Sequence, residues 1–262
     1  MKDLTHIYSD KEFQLTAKKF KDKYQIDNNC DKTKNNNSAN KWKIFKDDFL
    51  RLTHFKCPIC EKDIDNYDDI DHYRPKNEKQ YPFLKCDYKN FIILCKMCNS
   101  TCKGEDFPLL DNRFKAKCKD DICDEKPLLI NPCIDNIYDY FFIEFLQSNS
   151  EQLLILVPKY GLNPNSYEYK RAETTIAFYG LGDCVIGKDL KKCRDNKIVD
   201  NCRREFMQRM YGTFYDLIES FNDYANKKIT KEEIMKKAEV KKRLNYGFYE
   251  FIRLKQFRIN TI

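Results

Sequence analysis

Cys57-Pro58-Ile59-Cys60, Asp69-Ile70-Asp71-His72-Tyr73-Arg74-Pro75-Lys76, Asn90-Phe91-Ile92-Ile93-Leu94 and Cys95-Lys96-Met97-Cys98-Asn99 follow one another in the first half of the chain, and their spacing decides the fold. The outer runs make a C-x2-C-x34-C-x2-C pattern. Two-residue spacing lets both sulfurs of a tight turn face one ion, and four thiolates fill the tetrahedral shell of a structural zinc. Such a site supplies roughly 10–16 kcal/mol of apparent folding free energy, enough to organise a module with little core of its own. Cys86 and Cys102 are close enough in sequence to be rival ligands.

The residues between the pairs carry chemistry. Asp71-His72 ends a strand expected over 69–73, Asn90 precedes a second strand over 91–94, and Asn99 follows Cys98 where a helix should begin. A carboxylate at Asp71 and a carboxamide at Asn99 can hold one hard divalent cation, Mg2+ or Mn2+, because such ions take oxygen ligands and keep waters. The neighbouring imidazole can then take a proton from an attacking water near neutral pH. That combination suits phosphodiester hydrolysis. Adjacent strand residues face opposite ways, so the pair works together only if the strand ends or twists near His72, as Pro75 suggests. Of the three histidines, His54 reads as packed or surface and His6 has no supporting context. Asp68 and Asp69 read as solvated flanks.

Outward from this centre the chain turns helical. Ser9 and Glu12 make a capping-box pair before Phe13, Ala17, Phe20 and Tyr24, which recur at helical spacing. Residues 28–40 are polar and aperiodic and read as a loop. Trp42, Phe45, Phe49 and Leu52 then mark one face of a second helix. Beyond Pro132, residues 151–157 read as a strand and Tyr160-Gly161-Leu162-Asn163 as a turn; most of the rest is helical, with an apolar stripe through Met207, Met210, Tyr211, Phe214, Leu217, Ile218, Phe221 and Tyr224. The expected fold class is α+β, predominantly α: an N-terminal helical region at 1–54, a zinc-stapled module at 55–132, and a mainly helical region at 133–262.

The 262 residues are 42% hydrophobic and 14% aromatic, which excludes a disordered or fibrous chain. No stretch approaches the apolar length that spans a bilayer and no leader is recognisable, so a cytoplasmic, membrane-free protein is expected. There its 13 cysteines should be thiols or metal ligands, with Cys118 and Cys123 read as isolated buried thiols. The formal charge is +7, and residues 185–262 hold 19 Lys and Arg against 11 Asp and Glu. That C-terminal excess suits either a phosphate backbone or solvated helix faces.

Ile70-Asp71-His72-Tyr73-Arg74-Pro75-Lys76, Tyr81-x-x-Leu84-x-x-x-Tyr88-x-Asn90-Phe91, Cys95-x-x-Cys98-Asn99, Phe107-Pro108-Leu109 and Pro127-Leu128-Leu129-Ile130-Asn131-Pro132 resemble the HNH, or ββα-metal, endonucleases, in particular the PtuB subunits of Septu and retron-associated antiphage systems. The likeness continues more thinly through Tyr160-Gly161-Leu162-Asn163 and Arg171. The resemblance implies that His72 is the general base, that Asp71 and Asn99 hold the catalytic ion, and that Asn90 braces the loop presenting His72. The last motif position is often His in relatives and is Asn99 here. Arg74, Lys76 and Lys103 become candidate phosphate contacts, on DNA or RNA, and the products would be 5′-phosphate and 3′-hydroxyl ends. The implied partners are an ABC/SMC-type, PtuA-like ATPase and, in some systems, a reverse transcriptase with its RNA-DNA product. The alternative is a zinc module that only binds nucleic acid or protein.

Overall fold

The computed structural model describes residues 1–25, 30, 41–64, 67–147, 152–182, 215–242 and 247–261. These fall into two compact units, one built mainly from residues 4–135 and the other mainly from 136–262. No helix among the described residues is long and apolar enough to cross a membrane.

In the first unit, helix α1 (Lys11–Phe20) buries Phe13, Ala17 and Phe20, the residues whose spacing predicts it. Its cap differs from the expectation. The Asp10 carboxylate accepts from the Phe13 amide, while the Ser9 hydroxyl donates to the His6 carbonyl. Asp and Ser are equivalent caps in sequence, and here Asp10 also accepts from Arg51, an ion pair that a serine cannot make. A 3-10 turn (Lys41–Phe45) leads into α2 (Lys46–Thr53). Trp42, Phe45, Phe49 and Leu52 are all buried, as expected, although the first two sit on the 3-10 turn. Phe13, Phe20, Phe45 and Phe91 interlock, with ring centroids 5.1 to 5.5 Å apart; each fully buried ring contributes about 1.5–3 kcal/mol.

That aromatic cluster floors a two-stranded antiparallel sheet, β1 (Asp69–His72) and β2 (Phe91–Leu94), in which His72 faces Phe91 across the ladder. Every residue of β2 is buried, whereas β1 alternates between exposed or half-buried Asp69 and Asp71 and buried Ile70 and His72. A wide, π-type helix (Met97–Lys103) follows β2. Its Gly104 amide reaches back five residues to the Asn99 carbonyl, a geometry often met at functional sites. The order strand, strand, helix is as the sequence predicts.

The second unit departs further from expectation. It carries a three-stranded sheet in the order β4 (Gln152–Pro158), β3 (Phe141–Gln147), β5 (Phe257–Thr261), with β3 and β5 parallel. Strand β4 and the turn at Gly161, whose φ is +88°, were expected; β3 and β5 replace part of the predicted helix. Phe141, Ile143 and Phe145 of β3 alternate with residues facing the other way, the two-residue period of a strand. Helix α3 (Tyr167–Tyr179) starts at a Ser166 cap and ends at Gly180 in the left-handed region. Three helices follow at Tyr215–Ala225, Lys231–Lys242 and Gly247–Arg253. Phe221 is buried and stacks on Phe145 with centroids 5.2 Å apart. The predicted stripe at Met207, Met210, Tyr211 and Phe214 and the loop at 28–40, Cys30 apart, lie outside the described residues.

Candidate functional site

Cys57, Cys60, Cys95 and Cys98 are buried and unbridged, with all four sulfurs within 4.8 Å of one another. Sulfurs around one zinc at about 2.3 Å stand roughly 3.8 Å apart, so the donor set and its spacing fit that ion. The first pair sits in a turn closed by a bridge between Lys56 and Asp63 and by the ion pair of their side chains. The Cys95 amide points at Cys57 Sγ, 3.5 Å away, and the Lys96 amide donates to Asp68 at 3.0 Å. Asp68 thus steadies the second pair, and Asp69 is an exposed partner of Lys43. Cys102 stands outside the cluster. Cys86 is no ligand, because it is joined to Cys30 in a disulfide. This corrects the expectation that every cysteine is a thiol or ligand. Cys118 and Cys123 are exposed, not buried.

His72 closes β1 and is 1% exposed. Its Nε2 lies 2.8 Å from the Lys85 carbonyl oxygen. A carbonyl only accepts, so Nε2 carries the proton, and in the neutral ring the lone pair stands on Nδ1. Nδ1 is buried and has no hydrogen-bond partner among the described residues. The ring meets Trp42 and Phe91 edge to face at 5.0 and 5.1 Å. Burial, reinforced by the nearby Lys76 ammonium, lowers the imidazole pKa to about 4.

Because the unfolded chain binds a proton at His72 near pH 6.5 and the folded chain only near 4, stability falls as pH drops between those values. From pH 7.5 to 5.5 the loss attributable to this group is about 1.4 kcal/mol. Urea unfolding of zinc-loaded wild type and His72→Asn at both pH values measures it; equal pH dependence in the two proteins would contradict the shift.

Asn90 pairs with both polar groups of the Arg74 backbone. Its Oδ1 accepts from the Arg74 amide at 2.8 Å, and its Nδ2 donates to the Arg74 carbonyl at 2.9 Å. The chain is thereby clipped two residues after His72, while the Tyr73 amide donates to the Asn90 carbonyl. Asn90→Ala leaves both polar groups of the Arg74 backbone without this partner and is expected to cost about 2–3 kcal/mol, read from the urea midpoint at unchanged zinc content.

Asp71 points to the other face of β1 and binds Lys103, with Nζ to Oδ2 at 2.8 Å. Lys103 is four residues beyond Asn99 on the π-type helix, so this ion pair ties the strand bearing Asp71 to the helix bearing half-buried Asn99. The carboxylate and carboxamide are hard oxygen donors of the kind Mg2+ and Mn2+ prefer. Arg74 and Lys76, expected at phosphate, are both engaged. Arg74 Nε donates to buried Glu125 at 2.9 Å, and Lys76 Nζ lies 5.2 Å from the centre of the Trp42 ring. His54 is exposed and caps α2 in the left-handed region.

Four features here had no clear sequence signal: the Lys85 carbonyl, the Trp42 ring against His72, the Asp71–Lys103 pair and the Cys30–Cys86 bridge. Trp42 read as core because its spacing is helical. Lys103 was expected at phosphate with Arg74 and Lys76; it is instead buried and paired with Asp71.

No family model matches the sequence, and no solved structure matches it. A curated relative is the Septu protein PtuB of Bacillus mycoides strain KBAB4, 29% identical over an alignment of 99 residues that covers 33% of this chain and 34% of that protein. The chain therefore matches only about a third of that relative's length, and over that third it is similar to a Septu protein PtuB.

Proposed function

We propose that the chain is a metal-dependent HNH-type endonuclease and the nuclease effector of a Septu-like antiphage complex with an ATPase partner. One observation carries the chemical reading. The His72 ring is held by the Lys85 carbonyl so that its lone pair is on Nδ1, on a strand that carries Asp71 on its other face and lies between the two cysteine pairs. Partial similarity to PtuB supports the biological setting.

In this reading Nδ1 of His72 accepts a proton from the water that attacks phosphorus, and the Lys85 carbonyl stabilises the resulting imidazolium through Nε2. The low pKa keeps the base unprotonated at neutral pH. Asn90 positions the chain after His72 through its paired bonds to Arg74. Asp71 and Asn99 are the residues that would hold the divalent ion, which when bound supplies Lewis-acid stabilisation of charge on the phosphoryl oxygens. Zinc at the four cysteines is structural. Lys76 and Arg74 are the candidate phosphate contacts; Arg74 serves through its outer guanidinium nitrogens, since Nε is committed to Glu125.

The direct test is cleavage of single-stranded DNA, duplex DNA and structured RNA by wild type and Asp71→Asn, with Mg2+, Mn2+ or chelator, alone and with a Septu-type ATPase. Ion-dependent cutting that leaves 5′-phosphate ends and is lost in the variant is expected. Binding without cutting under every condition would reduce the chain to a zinc-dependent binding module.

A further inference from the structure

An ammonium group buried against the acid proposed as metal ligand needs an explanation. Lys103 is 2% exposed, its Nζ lies 2.8 Å from Asp71 Oδ2, and its other hydrogen bond among the described residues is a longer one, 3.4 Å, to the Gly104 carbonyl. The side chain reaches inward from the π-type helix and lays its charge on one oxygen of the acid proposed as metal ligand. A buried ammonium is costly without a counter-charge. Half-buried Asp71 supplies it.

We infer that Lys103 is a positioning residue that sets the divalent-ion affinity of the proposed site by competing with the ion for Asp71. The inference rests on the nuclease reading above and deepens it. A cation held by either Asp71 oxygen stands within a few ångströms of Nζ, and like charges at that separation in a poorly solvated setting repel strongly. Loading the ion therefore displaces the ammonium from Oδ2 or is weakened by it. The free protein takes up Mg2+ or Mn2+ weakly, and an arriving phosphodiester, by offering Lys103 another anion, relieves the competition. An active site of this kind is held back until substrate is present.

The experiment is Mn2+ binding to the full-length zinc-loaded protein, followed by the electron paramagnetic resonance signal of free Mn2+, in wild type, Lys103→Met, Lys103→Arg and Asp71→Asn. Lys103→Met keeps the length of the side chain and removes the charge; it should bind Mn2+ at least tenfold tighter, while Lys103→Arg should resemble wild type. Equal or weaker binding by Lys103→Met would overturn the inference. Should that variant fail to fold, acetylation of wild-type lysines read by mass spectrometry replaces it. Saturating Mn2+ should then expose Lys103 to reagent several-fold, and unchanged protection would overturn the inference. The two readings fail separately. If Asp71→Asn binds Mn2+ as wild type does, the proposed catalytic ion is misplaced; if Asp71→Asn loses Mn2+ but Lys103→Met matches wild type, the competition alone is wrong.

Discussion

Stripping zinc with a strong chelator at neutral pH is expected to unfold the unit that carries His72. Four thiolates around one zinc would supply roughly 10–16 kcal/mol of apparent folding free energy, against a net stability of about 5–15 kcal/mol for an ordinary domain. Strand β2 runs straight into Cys95, and the helix bearing Asn99 and Lys103 contains Cys98. Repulsion among four buried thiolates without a cation, or protonation of all four, releases both elements together. One zinc per chain by elemental measurement, loss of cooperative thermal unfolding after chelation, and recovery on adding zinc are the expected results. Cys95→Ala should reproduce the loss at a single position. A chelated protein that keeps its melting temperature would show that the cysteines pack as thiols and that the aromatic cluster alone carries the unit. The Cys30–Cys86 bridge is a separate tie, so the chelation series should be run without reductant, leaving that bond intact.

What could be read in advance follows from how local each signal is. The cysteine pairs were legible because metal geometry restricts spacing, and α1 and α2 because Phe13, Ala17, Phe20, Phe49 and Leu52 recur with the helical period. The short sheet was legible because Phe91–Leu94 is a continuous apolar run and Asp69–His72 alternates. Strands β3 and β5 were not: they pair in parallel across more than a hundred residues, a non-local contact that neither segment announces. The Asp71–Lys103 pair failed to show for a related reason. Strand and helix must first be in place before a lysine 32 positions away can find the acid. The disulfide partner of Cys86 lies 56 residues earlier, beyond any spacing rule for a metal pair.

The proposed role asks a buried histidine to act as a base, and its surroundings bear on that. A neutral imidazole needs one donor satisfied, and the Lys85 carbonyl does that. Leaving Nδ1 without a partner costs about 1–3 kcal/mol for a buried acceptor, an expense with no return in a purely structural residue. Trp42 and Phe91 hold the ring plane, and Asn90 holds the backbone beyond it. The restraints on the ring and on the chain beyond it suit the proposed base, since proton transfer depends steeply on geometry.

His72→Ala is therefore expected to lose about 10²–10⁴-fold in cleavage rate, the usual contribution of a positioned general base. Zinc content should be unchanged, since the substitution touches no sulfur. Binding of uncleaved nucleic acid should also persist, because Lys76 and Arg74 belong to the chain after the strand. The loss should fall on the turnover rate and spare substrate affinity, the signature of an interaction made mainly in the transition state. The cavity left against Trp42 and Phe91 lowers stability as well, so the comparison belongs at a temperature where circular dichroism shows the variant folded. His72→Gln separates the two effects: it refills part of the volume and can still donate to the Lys85 carbonyl, yet it offers no basic nitrogen. A rate for His72→Gln as low as for His72→Ala, with stability partly restored, assigns the loss to chemistry. Recovery of cleavage along with stability would make His72 a packing residue and remove the proposed base.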